Sequence, residues 1–304
     1  MVTEMVELDK PLAYVLGTQP FHPLPTELLV RPPTLIPRPE TEHWVSLLTA
    51  RLLATSSLTP ARSGQPRQSF RILDIGTGTG CIALALTHAL SSTGRRMVQT
   101  IAVDRAETAL QLATENAKRC GLLCPDIEKT GTNSILPPSS TSGVSLHKSD
   151  IFSDSFAAEA MHLASPIAVR QPFDLVVSNP PYIPLLEYAQ LERSVLEWED
   201  RGALVGEAVS AQARQSGTES LAEDDGLVFY RRIVSLLEGL LRPPDSPNLS
   251  ALPPSSPGDK RPVVAFEVGK GQARSVERLL LERGFKTEVV NDPWGVERAV
   301  FGLK

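Results

Sequence analysis

A four-residue sequence, Asn-Pro-Pro-Tyr at positions 179–182, contains the side chains of this chain that are best suited to chemistry. It follows residues 173–177, a mostly apolar run with two β-branched residues that predicts a buried strand. The two prolines donate no backbone hydrogen bond and favour extended backbone, so they predict a rigid turn after the strand. Such a turn would place the Asn179 amide, the Pro180 carbonyl and the Tyr182 ring around one small space.

This turn offers acceptors for an NH₂ group. Such a group carries two hydrogens, which the Asn179 side-chain oxygen and the Pro180 carbonyl could accept, while the Tyr182 ring could stack on a planar group. The candidate catalytic residues are Asn179, Pro180, Pro181 and Tyr182. Taken alone, the same residues could also be a proline turn that only closes a strand.

A glycine loop at positions 76–80 follows a second predicted strand, residues 70–75. Alternate glycines permit positive φ and let a ligand touch the backbone. The helix predicted from Cys81 to Leu90 would add free N–H groups and a positive dipole. A dinucleotide loop has the spacing G-x-G-x-x-G, whereas this loop is G-x-G-x-G, which points to a nucleoside without a pyrophosphate, such as S-adenosylmethionine. The candidate donor-binding residues here are Asp74, Gly76, Thr77, Gly78, Thr79 and Gly80.

Two more acids end predicted strands. Asp104 closes residues 100–104, where a carboxylate could accept hydrogen bonds from a ribose diol. Asp150 closes residues 145–150 and could accept from an adenine amine, with Ile151 as apolar cover. Asp150 could equally be a helix cap or a turn residue.

The alternation of strands and helices predicts an α/β fold with a doubly wound, mostly parallel sheet whose ligands bind at the strand carboxyl ends. Residues 286–291 and 298–303 would close it as an antiparallel hairpin. We expect an N-terminal arm at 1–54, with a β-hairpin and a helix from about 42 that Thr41 caps. Residues 55–304 would form the catalytic domain, with low-complexity insertions near 121–144, 210–225 and 242–261 and an acidic cover at 183–206.

The arm ends in Pro-Arg-Pro-Glu-Thr-Glu at positions 37–42. Prolines on both sides of Arg38 would hold its side chain on an extended segment. We expect Arg38 and Glu40 to orient the donor or the substrate, and we expect their removal to leave the melting temperature nearly unchanged. The segment could also be a linker with solvated charges.

Composition narrows the function classes. A chain of 304 residues with 41% apolar and 21% charged residues is typical of a soluble globular enzyme. A net charge of −5 provides no overall positive field for nucleic acid, and no apolar run is long enough to span a bilayer. The three sparse cysteines favour reduced thiols in an intracellular compartment. Cys120 and Cys124 with His147 lack the spacing of a zinc site, so we expect no metal.

Together, the segments at 37–42, 74–80 and 179–182 resemble the HemK-type protein-(glutamine-N5) methyltransferases, which methylate the glutamine of the Gly-Gly-Gln motif in class-1 peptide chain release factors. The resemblance implies the class I S-adenosylmethionine-dependent fold with a seven-stranded sheet, that donor as the cofactor, and a release factor as protein substrate. It also implies donor contacts at Gly76–Gly80, Asp104, Ile151 and Asn179, and a substrate amide held by residues 179–182.

The insertions resemble the eukaryotic mitochondrial branch of that family. We therefore expect a mitochondrial protein, or a cytoplasmic one because no targeting peptide is visible, and a monomer. Bacterial members carry a helical recognition domain before the hairpin, and only ten residues precede Pro11 here. That difference predicts either truncation or another mode of recognition.

Two other functions fit parts of this pattern. A nucleic-acid amino methyltransferase would use the same turn on a flipped base, but it predicts a basic groove, which the acidic cover and the pI of about 5.6 disfavour. An inactive fold acting as a scaffold is the other alternative, and the intact donor-site residues argue against it.

Overall fold

The computed structural model describes residues 2–54, 69–94, 97–124, 142–163, 172–207, 225–243 and 261–304. The insertions predicted near 121–144, 210–225 and 242–261 lie mostly outside these ranges. The N-terminal arm contains two short antiparallel strands, β1 (Thr18–Gln19) and β2 (Leu28–Leu29), as predicted.

A seven-stranded sheet follows the arm. Its strands are β3 (Ser69–Ile75), β4 (Met97–Asp104), β5 (Gly143–Lys148), β6 (Leu175–Ser178), β7 (Pro262–Glu267), β8 (Lys286–Asn291) and β9 (Glu297–Leu303). The spatial order is β5-β4-β3-β6-β7-β9-β8, and the first five strands of that order run parallel. Strands β8 and β9 form the predicted antiparallel hairpin. This is the sheet of the class I S-adenosylmethionine-dependent methyltransferase fold.

Helices cover both faces of this sheet. They are α1 (Val2–Glu7), α2 (Leu12–Leu16), α3 (Pro39–Ala54), α4 (Cys81–Ser91), α5 (Glu107–Arg119), α6 (Phe156–His162), α7 (Leu185–Tyr188), α8 (Arg193–Leu196), α9 (Arg201–Leu204), α10 (Val228–Leu240) and α11 (Ala273–Leu281). None of these helices is long and apolar enough to cross a membrane. Neighbouring residues of a strand point to opposite faces. Accordingly, Ile72 joins a core with α3 and α4, whereas Leu73 joins another with α6 and α10.

The start of α3 corrects one prediction. The helix begins at Pro39 rather than Glu42, and the Glu42 N–H already bonds the Arg38 carbonyl at 3.2 Å. Proline suits the first turn because the N–H that it lacks would have no partner inside the helix. Thr41 is therefore not a cap. It lies inside the first turn, and its hydroxyl donates to Glu267 at 2.6 Å.

The arm is fixed to the sheet domain by buried Asn116 of α5. Its side chain pairs with Leu29 as a strand neighbour would, accepting from Leu29 N–H at 2.7 Å and donating to the Leu29 carbonyl at 3.1 Å. The same amide donates to the Thr79 carbonyl at 3.0 Å. One side chain thus joins the arm to the glycine loop.

Arg38 is engaged in an ion pair rather than exposed on a linker. Its guanidinium lies 2.6 Å from a carboxylate oxygen of Glu199, whose side chain is 1% exposed. Burial raises the pKa of Glu199, and Arg38 together with the Ile36 amide opposes that rise. This pair ties the arm to the segment predicted as the cover.

The ion pair also changes the stability expected of Arg38→Ala. Removing the guanidinium leaves a buried carboxylate without its partner, so the free energy of unfolding should fall by about 1–3 kcal/mol. Denaturant unfolding at neutral pH measures this. The matched control is Arg193→Ala, whose partner Glu197 is 46% exposed, and which should cost about 0.5 kcal/mol or less. Equal stability of the two variants would show that the Arg38 pair contributes nothing.

Candidate active site

The glycine loop and the Asn-Pro-Pro-Tyr turn begin side by side because strands β3 and β6 are neighbours. Ile75 and Ser178, the last residues of these strands, are register partners, and the Ser178 hydroxyl donates to the Ile75 carbonyl at 2.7 Å. A Cβ on Gly76 would lie 4.0 Å from the Asn179 backbone carbonyl. The chain reverses its direction of winding between these strands, which is where open α/β sheets bind ligands.

The glycine loop presents its backbone to open space. Gly76 and Gly78 have φ values of 73° and 56°, in the left-handed region that favours glycine. The Gly78 N–H donates to Asp104 Oδ2 at 2.9 Å, and a Cβ on Gly78 would meet no atom within 4 Å. Position 80 favours glycine because of close packing: a Cβ there would lie 3.3 Å from the Ala113 side chain.

Asp74 and Thr77 support this loop from behind. The Asp74 carboxylate is fully buried and accepts from the Thr77 hydroxyl at 2.7 Å. Burial raises the pKa of Asp74 to about 7, and the Thr77 hydrogen bond opposes the rise. Thr79 is likewise buried.

A cavity opens between the arm, the strand ends and the cover. It contains about 870 Å³ of atom-free space, which includes open solvent at its mouth. Of the predicted site residues, those lining it are Gly76, Gly78, Asp104, Asp150, Ile151, Asn179, Pro180 and Pro181. Those outside its lining are Asp74, Thr77, Thr79, Gly80, Tyr182, Arg38 and Glu40.

Asp104 and Asp150 line the cavity and also accept hydrogen bonds from backbone N–H groups. Asp104 accepts from Gly78 N–H and, through Oδ1, from Ala106 N–H at 2.9 Å. Burial raises the pKa of Asp104, and these amides oppose the rise. Asp150 Oδ1 accepts from Phe152 N–H at 2.9 Å, which confirms the turn interpretation of Asp150. Each carboxylate oxygen can still accept another hydrogen bond.

Tyr182 and Glu40 lie beside the cavity. Burial raises the pKa of the Tyr182 hydroxyl, and the ring lies against Gly269, where an added Cβ would be 3.0 Å from Cδ2. Glu40 Oε1 is 4.0 Å from the Arg298 guanidinium of β9. Tyr182 therefore packs against the segment that follows β7, and Glu40 lies between the arm and β9.

Two groups of lining residues carry no motif in the sequence. Pro33, Thr34 and Leu35 come from the arm, and Asp200, Gly202 and Ala203 come from the cover. The groups are joined where Asp200 N–H donates to the Pro33 carbonyl at 2.7 Å. The only local signal is Asp200, whose side chain caps α9 by accepting from Gly202 N–H at 2.8 Å. The cover thus forms a wall of the cavity, as expected from its position after the turn.

The side chains present fit a nucleoside. Two carboxylates can accept from hydroxyl and amine groups, the glycine loop admits close approach to backbone, and apolar walls suit a flat base. These apolar walls are Val103, Ile151, Phe156 and Phe229. In the part of the chain described, no group of three or more His, Cys, Asp or Glu residues could hold a metal ion.

Three bacterial proteins that are each named release factor glutamine methyltransferase are similar to this chain. The one from Chlorobaculum tepidum is 36% identical over 283 residues, covering 93% of this chain and 71% of that protein. The one from Geobacter sulfurreducens is 31% identical, covering 96% and 73%. The one from Flavobacterium psychrophilum is 30% identical, covering 96% and 75%.

Two further comparisons add little. No family model matches the chain. A solved structure, the METTL16 MTase domain, aligns with a TM-score of 0.47 at 15% identity, covering 90% of this chain and 73% of that chain. That likeness is too distant to carry an argument.

Asp104→Ala should weaken binding of S-adenosylhomocysteine, the demethylated form of the donor. It removes charge-assisted hydrogen bonds of roughly 1.5–3 kcal/mol each and releases the Gly78 amide. Titration calorimetry on the folded variant measures the affinity. Asp154→Ala, in which an exposed acid near the cavity is removed, is the control. Unchanged affinity in Asp104→Ala would rule out its role in donor binding.

Asp74 should make stability depend on pH. Its pKa is about 7 in the folded protein against an ordinary value of 3.8, so the native state binds more protons between these values. Stability contributed by the protonated form is therefore lost as pH rises through this window. Asp74→Asn lacks this dependence. The melting temperature of the variant relative to wild type should rise from about pH 4 to about pH 7 and then level off. A constant difference across that window would contradict the prediction.

Proposed function

This chain belongs to the family of release factor glutamine methyltransferases, and from that membership we propose its reaction. It transfers a methyl group from S-adenosylmethionine to the side-chain amide nitrogen of the glutamine in the Gly-Gly-Gln motif of a class-1 peptide chain release factor. The observation that carries this proposal is the placement of Asn179 and Pro180 in one cavity with the glycine loop and Asp104.

The turn acts on the substrate amide. An amide nitrogen is a poor nucleophile because its lone pair is delocalised into the carbonyl. In our proposal Asn179 Oδ1 and the Pro180 carbonyl accept its two hydrogens, which orients the nitrogen and stabilises the positive charge that develops on it. Pro180 is buried as a residue and lines the cavity.

The other lining residues bind the donor. S-adenosylmethionine supplies, when bound, a methyl group on a positively charged sulfur. The Gly76 and Gly78 backbone admits the donor closely, Asp104 accepts from its ribose hydroxyls, and Asp150 accepts from its base amine. Ile151 covers the base on its apolar side. The arm and the cover form walls of the cavity beside these groups.

We also propose the setting of this reaction. The resemblance to the mitochondrial branch supports a mitochondrial release factor as substrate, and a monomeric enzyme is the simplest arrangement. Cell fractionation with an antibody to this chain tests the location. Light scattering on the purified protein tests the oligomeric state.

The substrate is tested by radiolabelled methyl transfer. The purified protein is offered a class-1 release factor, the same factor with Gly-Gly-Ala in place of Gly-Gly-Gln, DNA and RNA. We expect label only in the unaltered factor, on its glutamine, as mapped by mass spectrometry. Label in nucleic acid, or in the Gly-Gly-Ala factor, would contradict the proposal.

Asn179→Ala should slow transfer on the order of 10²–10³-fold, by analogy with the loss of one oxyanion-hole donor. One amide hydrogen is then unpaired and the nitrogen is free to turn. Asn179→Asp keeps an acceptor and should retain more activity than Asn179→Ala. Donor affinity should change less than the rate, because the lost interaction acts mainly in the transition state. A single-turnover rate in Asn179→Ala equal to wild type would refute the amide clamp.

A further inference from the structure

Gln272, which follows β7, joins three backbone segments behind the Asn-Pro-Pro-Tyr turn. Its Nε2 donates to the Tyr182 carbonyl at 2.8 Å and to the Asp225 carbonyl at 2.9 Å. Its Oε1 accepts from Gly269 N–H at 3.1 Å. A carboxamide has two N–H groups and one oxygen. Both hydrogens and the oxygen of this side chain are therefore engaged with backbone.

Two glycines make the room that this side chain occupies. A Cβ on Gly226 would lie 2.0 Å from the Tyr182 carbonyl oxygen and 2.7 Å from Gln272 Nε2. A Cβ on Gly269 would lie 2.6 Å from Gln272 Oε1. Side chains at either position would collide with these atoms, so the surrounding backbone is shaped to fit the carboxamide.

The turn needs such an anchor because its two prolines have no N–H. Before the prolines, the Ser178 hydroxyl fixes the backbone to Ile75. After them, the peptide unit between Tyr182 and Ile183 is held on both sides. Its carbonyl accepts from Gln272, and its Ile183 N–H donates to the Leu204 carbonyl at 2.9 Å. The acceptors for the substrate lie between these two anchors.

We propose that Gln272 is a positioning residue for methyl transfer, one that fixes the turn and so the Pro180 carbonyl and the Tyr182 ring. This inference rests on the proposed function. A displacement of about 1 Å in a reacting group can cost on the order of 10²-fold in rate. Gln272 does not line the cavity, so its effect falls on the reaction rather than on donor binding.

The first test is a pair of variants of similar size. Gln272→Met lacks every polar contact. Gln272→Glu lacks both N–H groups, but its protonated form regains one donor. We expect kcat to fall about 10–100-fold in both, with KM for the donor within about twofold of wild type. The Tyr182 and Asp225 carbonyls that face the new carboxylate should raise its pKa above the ordinary value of a glutamic acid. From about pH 8 to about pH 5, kcat relative to wild type should therefore rise for Gln272→Glu and stay level for Gln272→Met.

The control is Gln190→Glu, the same change at an exposed residue whose Nε2 lies 3.4 Å from the Leu186 carbonyl. It should match wild type at every pH. Wild-type kcat in both Gln272 variants, or a loss confined to donor KM, would overturn the proposal. So would parallel pH profiles for Gln272→Glu and Gln272→Met, because the defect of Gln272→Glu should diminish when its carboxyl group is protonated and regains a donor.

Hydrogen exchange gives a readout that needs no activity. Loss of the Gln272 contact should speed exchange at Ile183 N–H at least tenfold in Gln272→Met and leave the glycine loop unchanged. An unchanged exchange rate at Ile183 N–H in Gln272→Met would show that Gln272 does not hold this peptide unit in place. A wild-type protein that fails to methylate any release factor, with faster exchange in the variant, would refute the proposed function while the anchor stands.

Discussion

The burial of the Glu267 carboxylate is the constraint on which the catalytic edge of the sheet depends. Glu267 ends β7 and is 2% exposed, and its Oε2 accepts from the Thr41 hydroxyl at 2.6 Å and from Trp44 Nε1 at 2.8 Å. Burial raises the pKa of Glu267, and these two donors oppose the rise. A carboxylate buried without donors is costly. Strand β7 therefore requires helix α3 in this position, and the position of α3 constrains the rest of the arm.

The Pro-Arg-Pro-Glu-Thr-Glu segment consequently works as a hub around the cavity. Arg38 reaches Glu199 of the cover, Glu40 lies near Arg298 of β9, and Thr41 reaches β7. Its last residue, Glu42, accepts from the His22 N–H at 2.9 Å, which fixes the chain before β2. Four polar side chains of this segment thus contact four separate parts of the protein. Residues 33–35, just before this hub, form a cavity wall because the hub places them there.

The sequence predicted the elements whose signals are local. Strand β6 is apolar up to Ser178 because both of its faces are buried, and the apolar residues Phe70, Ile72, Leu73 and Ile75 give β3 a similar signal. Helices α2 and α6 were not predictable, since five and seven residues are too few to show a helical period. The roles of site residues could not be predicted either where they depend on burial or on partners distant in the sequence. An acid before a glycine loop can face a ligand or its own loop, and only burial decides for Asp74. Thr41 resembles a helix cap until its distant partner is known.

The long sequence separation of these contacts affects how the protein folds during its synthesis. Thr41 and Glu267 are 226 residues apart in the chain, and Arg38 and Glu199 are 161 apart. Ribosomes add about 5–20 residues per second, so Glu267 is synthesised on the order of ten to forty-five seconds after Thr41. During that interval Thr41 and Trp44 of α3 lack the Glu267 carboxylate that accepts their hydrogen bonds. The cavity of a nascent chain therefore lacks the contact between α3 and β7 until β7 has been synthesised, long after the arm itself.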